Sequence, residues 1–502
     1  MNRSIFSGAV ASFVYIVSAG LGTIVQSAFI VRYLNTIDSG IWFLFLSIIG
    51  IVSFCDFGLS ATLSREIGLA AYKKNMLFRI SSLFKTIRVI NGALILILCM
   101  VLLLLYYFFI ATQSHSTLVA YAYIVFGVAL IVKFLSNPLL ASLYGVGFVS
   151  LNRHLLSFSV ISSTVLSIIA LRMGYGLLGV TLSYLVSYSL LYVLSVLLMN
   201  RLLFIKKSIK FSKIIVQRIL MPSVQWTVMS LGAIFILQAS NFFISEMMGV
   251  QYVTEFAVIK QLSVAILSVS SCVGVTLVPF ISIAKGQSQN QRVDFLSELT
   301  VKFSTVIALT IAFFVYFFQV IIAQAWLGKH MGFNELVLIL LLITTILEVH
   351  HVACAQVCLA LGYVRFAGVA IVAGMLNLIF SYFFIKYYGV VGAAIAILLT
   401  QLLTNNWYVV WVFIKHTDMK LSQYFRLYFQ LIVFSMLIGG GMWGLSDFLN
   451  TSFSLSKAIG AALLLLFVVM GSMAIVFSNE SKYAFLKLKE GAMKFQRRKN
   501  NE

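Results

Sequence analysis

The chain has 502 residues, of which 61% are hydrophobic and 10% charged, with a mean hydropathy of +1.04. Soluble domains carry about 25% charged residues, so a water-soluble globular class is excluded and a membrane-embedded chain is indicated. The net charge of +21 would suit a nucleic-acid binder, but the Lys and Arg residues lie in short segments between apolar runs, which is the pattern of membrane topology, with no nucleic-acid partner expected.

Fourteen apolar segments follow one another: 8–31, 41–62, 87–110, 117–141, 154–171, 176–199, 222–247, 253–283, 303–325, 335–361, 366–386, 389–414, 425–446 and 458–477. The first lacks a small-residue cleavage site and is expected to stay as a helix. Segments 5 and 6 are separated only by Arg172–Tyr175 and should form a tight antiparallel hairpin, while segment 8 is long enough to begin as a turn on the lipid surface. The five cysteines, Cys55, Cys99, Cys272, Cys354 and Cys358, all fall inside apolar runs, so free buried thiols are expected rather than a disulfide framework.

Ile41–Ala70 reads IWFLFLSIIGIVSFCDFGLSATLSREIGLA: an apolar run closes on Asp56-Phe57-Gly58, and Arg65-Glu66 follows before a basic amphipathic stretch. A helix starting near Gly40 would carry Asp56 about 24 Å into a hydrocarbon layer of about 30 Å. A carboxylate there either faces a bundle interior or wet cavity, or accepts hydrogen bonds from the next helical turn. An apolar helix ending in Asp-aromatic-Gly-Leu with an Arg-Glu pair behind it resembles the start of the Wzx-type polysaccharide flippases.

The basic residues orient the chain. With the N-terminus inside, 28 of the 35 Lys and Arg residues fall in inward connections and tails, and five (Arg32, Arg172, Lys329, Lys386 and Lys457) fall outside. That split predicts both termini in the cytoplasm and an even number of spans. The basic amphipathic stretches 65–88, 201–218 and 482–499 should lie against an anionic cytoplasmic leaflet of the phospholipid bilayer, beyond their part in setting topology.

A repeat runs at an offset of 212–215 residues. Gly147-Phe148-Val149 matches Gly362-Tyr363-Val364, Tyr175-Gly176-Leu177-Leu178-Gly179 matches Tyr388-Gly389-Val390-Val391-Gly392, Gln26 matches Gln238, and Trp42 matches Phe256. The expectation is an all-α polytopic membrane protein of about 14 transmembrane helices, built as two pseudo-repeated six-helix lobes plus two C-terminal helices. Its divisions are 1–200 for the first lobe, 201–221 for a basic cytoplasmic linker, 222–415 for the second lobe, 416–478 for the two additional helices and 479–502 for a basic tail. Parallel lobes about a central cavity suit alternating access. Over roughly 8–415 this organisation resembles the multidrug/oligosaccharidyl-lipid/polysaccharide (MOP) exporter superfamily, whose MATE branch has two such lobes.

Polar groups inside spans persist only when paired or hydrated, which makes them site candidates. Lys260 lies roughly 12 Å into segment 8, either snorkelling from a surface turn or serving as a cavity cation. Lys133 and Asn377 are further cavity candidates, and Arg32 closes segment 1. Glu348, His350 and His351 lie near the middle of segment 10, as an internally satisfied cluster or a titrating element. His350, Cys354 and Cys358 recur every fourth residue, but three ligands spread along about 12 Å of one helix cannot share one ion with bonds near 2 Å. No metal site is expected.

Catalytic patterns are missing: the sequence has no GxxxxGK[ST] phosphate loop and no His-Glu-x-x-His. No enzyme activity and no cofactor are expected, and the short outward connections disfavour a membrane glycan polymerase or glycosyltransferase. The resemblance implies a flippase in the bacterial inner membrane that moves an undecaprenyl-diphosphate-linked oligosaccharide, such as an O-antigen unit in lipopolysaccharide biosynthesis, alongside the polysaccharide polymerase machinery. A lipid II flippase and a multidrug/cation antiporter of the same superfamily are the alternatives. On this reading Lys260, Arg32, Lys133 and Asn377 meet the substrate, while Asp56, Arg65, Glu348, His350 and His351 serve gating or coupling.

Overall fold

The computed structural model describes residues 2–71, 76–113, 116–203, 213–328, 332–363, 366–417 and 421–450. These residues form helices joined by short turns: α1 Asn2–Tyr33, α2 Thr36–Phe54, α3 Leu59–Ala71, α4 Met76–Leu105 and a π-helical turn Tyr106–Ile110; α5 Thr117–Val146, α6 Val149–Arg172, α7 Gly176–Leu203, α8 Lys213–Met248 and α9 Gln251–Gly286; then α10 Asn290–Phe317, α11 Gln319–Leu327, α12 Glu335–Ala360, α13 Ala367–Leu403, α14 Asn405–His416 and α15 Leu421–Asn450. Among the described residues twelve stretches are long and apolar enough to cross a membrane, and the chain is a multi-pass membrane protein. One of them, Ala367–His416, contains two of the expected segments, with a kink at Gly389 (φ 58°, ψ −137°) between them. Thirteen of the fourteen apolar segments thus fall on described helices. Segment 458–477 and the tail 479–502 lie outside the described residues, as do residues 204–212 of the linker 201–221.

Three local expectations are corrected. Segment 2 is not one helix. Asn35 caps α2, its side-chain oxygen accepting from the Asp38 N–H at 2.7 Å, and α2 ends at Phe54. Phe57 (φ 45°) and Gly58 (φ 67°) then break the helix before α3. Because α2 starts at Thr36 rather than near Gly40, Asp56 stands about 30 Å along the path, at the far edge of the apolar layer. Segment 8 does not open with a surface turn; α9 is helical from Gln251. Lys302, counted among the inward connections, is fully buried on α10 and pairs with Glu298 at 2.7 Å.

The hairpin of segments 5 and 6 forms as expected. Helix α6 ends through a Tyr175 N–H to Ala170 carbonyl bond around left-handed Gly174, and α7 begins at Gly176. The repeat is visible in the backbone. Gly147 (φ 105°) and Gly362 (φ 93°) both end helices in the left-handed conformation that favours glycine. Each is followed by an aromatic whose N–H bonds five residues back, Phe148 to Leu143 and Tyr363 to Cys358. Gly176 and Gly389 match as well, at φ 56° and 58°.

The chain divides into two compact units. The first holds Met1–Val269, Ala323–Thr344 and Val364–Trp407; the second holds Ser270–Ile322, Thr345–Tyr363 and Tyr408–Glu502. In the first, α8 packs on α13, α5 on α7, and α1 on α6. It has an aromatic core: Trp42 and Phe45 of α2 meet Phe126 of α5 at ring-centroid distances of 5.9 and 4.9 Å, and Trp42 meets Tyr184 of α7 at 5.2 Å. In the second unit α10 packs on α15, where Phe313 faces Gly439. All five cysteines are free; Cys55, Cys354 and Cys358 are buried, while Cys99 and Cys272 are partly exposed.

Candidate functional site: a polar cavity around Lys260

Within the first unit, α1, α2, α6, α7, α8 and α9 enclose a cavity of about 410 Å³. Polar side chains from every one of these helices stand among the apolar ones of its wall. Gln26 comes from α1, Ser47 from α2, Tyr184 and Tyr188 from α7, Gln238 and Asn241 from α8, and Lys260 and Gln261 from α9. The polar groups hold one another in place. Tyr184 OH donates to Gln26 Oε1 at 2.8 Å, Gln26 Nε2 donates to Ser167 Oγ at 3.1 Å, and Asn241 Nδ2 donates to Ser47 Oγ at 2.8 Å. Two buried acceptors, Asn241 Oδ1 and Gln261 Oε1, have no hydrogen-bond partner among the described residues. An unpaired buried amide oxygen costs about 1–3 kcal/mol, a cost that water or a hydroxyl-bearing ligand would remove.

Lys260 is the one cation among the described lining residues, and no carboxylate is among them. Its ammonium donates to the Leu237 carbonyl and lies 5.7 Å from the centre of the Phe256 ring. Lys260 therefore faces the cavity rather than snorkelling to a surface. Lys133 on α5 stands one layer behind, its ammonium 5.2 Å from the face of Tyr188, which itself lines the cavity. Arg32 is elsewhere: at the end of α1 it donates to the Ala325 carbonyl of α11 and ties those two elements together. Asn377 is fully buried on α13, where Nδ2 donates to the Phe235 carbonyl of α8 at 3.0 Å, so it joins two helices and does not line the cavity.

Asp56 accepts from the Ser60 N–H and the Ser60 hydroxyl, both at 3.0 Å, and hydrogen-bonds Asn137, which is the geometry of a cap on the first turn of α3. Arg65 on α3 is exposed, whereas Glu66 beside it is buried. In the second unit the segment 10 cluster separates into two. His351 Nδ1 lies 3.4 Å from Glu348 Oε2. His350 turns toward α15, with Nε2 3.1 Å from Tyr428 OH and 3.3 Å from Tyr424 OH.

Sequence reasoning singled out Lys260 but assigned no site role to Gln26, Gln238, Asn241, Gln261, Tyr184 or Tyr188. The repeat was the available signal. Its matched pair Gln26 and Gln238 line the same cavity, and its other pair, Trp42 and Phe256, are fully buried aromatics beneath the wall.

Neither a protein-family profile nor a curated protein matches the chain in sequence. Solved structures match in fold. The chain is similar to a lipid II flippase MurJ in an inward closed conformation, with a TM-score of 0.69 and 12% identity over 94% of this chain and 99% of that one. It is similar to an inward-facing multidrug resistance MATE family transporter of the MOP superfamily, with a TM-score of 0.62 and 16% identity over 82% and 98%. An outward-facing MATE family transporter matches with a TM-score of 0.57 and 14% identity over 83% and 96%. At such identities the likeness lies in the fold, and the chain has the all-helical, two-lobed fold of the MOP transporters.

Proposed function

We propose that this protein is a flippase that carries an undecaprenyl-diphosphate-linked oligosaccharide, an O-antigen or related repeat unit, across the bacterial inner membrane by alternating access. The observation that carries this reading is the Lys260 cavity: a polar chamber with one cation inside an apolar bundle, walled by helices of both proposed lobes, α1, α2, α6 and α7 from 1–200 and α8 and α9 from 222–415. A glycan cannot enter hydrocarbon because each buried hydroxyl without a partner costs several kcal/mol. The amide and tyrosine groups of the wall offer replacement partners. Lys260 offers a counter-charge to the diphosphate, and Tyr184 and Tyr188 offer ring faces to sugar. Rocking of one lobe against the other would expose the chamber to each side in turn. Both termini are assigned to the cytoplasm on the distribution of basic residues, and Asp56, Arg65, Glu348, His350 and His351 are kept as gating or coupling candidates outside the chamber.

A second reading, transport of lipid II, draws on the flippase match, which spans 94% of this chain. The multidrug/cation antiporter is the less favoured reading because a cation-binding chamber calls for carboxylates, whereas the charged group among the described lining residues is Lys260. The deciding experiment reconstitutes the protein in liposomes loaded with fluorescent undecaprenyl-diphosphate-linked oligosaccharide, or with fluorescent lipid II, and follows leaflet exchange by dithionite quenching. Faster exchange of the oligosaccharide lipid is expected. Exchange of lipid II alone moves the assignment to the second reading, and exchange of neither removes the flippase reading.

A further inference from the structure

Beside the polar cavity the first unit carries a second, larger depression of about 770 Å³, lined by α2, α4 with its π-helical turn, and α8. It is almost wholly apolar. Phe54 and Phe57 line one part, Phe108, Phe109 and Phe242 another, and Glu246 is its one charged member. Two irregularities of the chain supply its aromatic wall. Phe57, a non-glycine residue held at φ 45°, places its ring 5.3 Å from that of Phe54. The π-helical turn at Tyr106–Ile110 carries Phe108 and Phe109, with Phe109 4.7 Å from Phe242. Left-handed backbone at a bulky residue costs about 1–2 kcal/mol, and π turns cluster at functional sites. Asp56 thus takes the alternative the sequence offered, accepting hydrogen bonds from the next turn to cap α3, while Phe57, to which the sequence assigned no role, furnishes the groove.

The groove and the cavity share one wall residue, Gln238. Helices α2 and α8 are antiparallel there, since Ser47 bonds Asn241 while Gly50 faces Gln238. The helices approach so closely that a Cβ on Gly50 would come within 2.5 Å of the Gln238 amide. Lys260 donates to the carbonyl of Leu237, the residue next to Gln238, so the cavity's cation stands at this junction. From Leu231 to Glu246 the groove follows sixteen residues of α8, or about 22 Å.

We propose that this groove is the binding site for the long polyprenyl chain of the substrate, leading from the cavity past Gln238 into the bilayer. The inference rests on the reading of the protein as a carrier of lipid-linked glycan. In such a molecule the diphosphate joins a polar glycan to a hydrocarbon chain, so its counter-charge must stand where a polar chamber meets an apolar one. Lys260 stands there. A phospholipid filling the groove would gain the apolar contacts but would leave the cavity's amide groups and Lys260 unused.

The test uses the full-length protein in nanodiscs of phosphatidylethanolamine and phosphatidylglycerol with three probes. These are a long-chain polyprenyl diphosphate with a diazirine on its tail, the diphosphate of a single isoprene unit, and a diazirine-bearing phosphatidylethanolamine. The long probe should label peptides holding Phe108 and Phe242. Filling the groove with Ala239→Trp should lower its affinity about tenfold or more, equivalent to about 1.4 kcal/mol, while the single-isoprene diphosphate binds unchanged. Val101→Trp serves as the second variant, each being admitted only with a wild-type melting temperature. The groove assignment falls, with the function reading intact, when the single-isoprene probe binds in a Lys260-dependent way but the long probe labels elsewhere or is indifferent to both tryptophans. It falls equally when the phospholipid labels the groove as strongly as the long probe. Failure of both diphosphates to bind overturns the function reading and this site with it.

Discussion

Lys260 shows how one residue takes its role from its surroundings. A lysine ammonium in an apolar bundle needs partners, and the Leu237 carbonyl and the face of Phe256 supply only part of what water would. A diphosphate would complete the set. Lys260→Ala and Lys260→Gln should therefore lose most leaflet exchange of the lipid-linked glycan while still inserting and folding, and Lys260→Arg should retain more than Lys260→Gln because it keeps the charge. Weakening of binding by about 1.5–3 kcal/mol, the worth of a hydrogen bond to a charged group, is the expected scale. Equal exchange by the Arg and Gln variants, measured at equal protein density, would make Lys260 a structural residue. Lys133 is a poorer candidate for direct contact, because its ammonium packs 5.2 Å from the Tyr188 ring and it is not among the described residues that line the chamber.

At the scale of elements, α3 and the α8–α13 pair define two tests. Both carboxylate oxygens of Asp56 are used at Ser60, and Asn substitutes well for Asp in capping while Ala forfeits about 1 kcal/mol. Asp56→Asn should therefore melt close to wild type, and Asp56→Ala should melt lower. The proposed gating role adds a further expectation: Asp56→Asn binds the lipid-linked glycan but exchanges it slowly. Wild-type exchange by Asp56→Asn would leave Asp56 as a cap alone. The second test concerns Gly232 on α8, where an added Cβ would meet the Ala370 carbonyl of α13 at 2.0 Å, with Gly374 immediately opposite. Small residues allow this backbone approach in a membrane bundle, and the Asn377 to Phe235 bond forms beside it. Gly232→Leu must push the helices apart and should cost at least about 3 kcal/mol, the upper range of overpacking. Gly368→Leu, where the added Cβ meets nothing within 4 Å, is the matched control. The two are compared by thermal unfolding in detergent, and equal melting temperatures would show that α8 and α13 tolerate separation.

For the whole molecule the sharpest expectation is topological. With 28 basic residues assigned inward and five outward, the connection 201–221 and both termini should face the cytoplasm. On a cysteine-free background, Lys207→Cys should resist a membrane-impermeant maleimide in intact cells and react after permeabilisation. Labelling in intact cells would invert every span assignment and with it the direction proposed for transport. The burial of Lys302 against Glu298 lowers the inward count without altering its sense.

The sequence alone determined the membrane class, the order of the thirteen apolar segments that fall on described helices, and the internal repeat. These are local or periodic properties: span length follows from 1.5 Å per residue, and a glycine demanded by a left-handed helix end recurs at both Gly147 and Gly362. It also picked out Lys260, because an isolated charge in a hydrophobic segment stands out in one dimension. Only the tertiary structure decided which of the other polar residues share a chamber. Gln26, Asn241 and Gln261 look in sequence like Asn377, yet three line the cavity while the fourth clamps two helices. A neutral amide can serve either way, and the choice depends on helix rotation and on partners 141 or 142 residues distant in the chain. The break at Phe57 was equally hidden, since its left-handed backbone runs against the preference of phenylalanine.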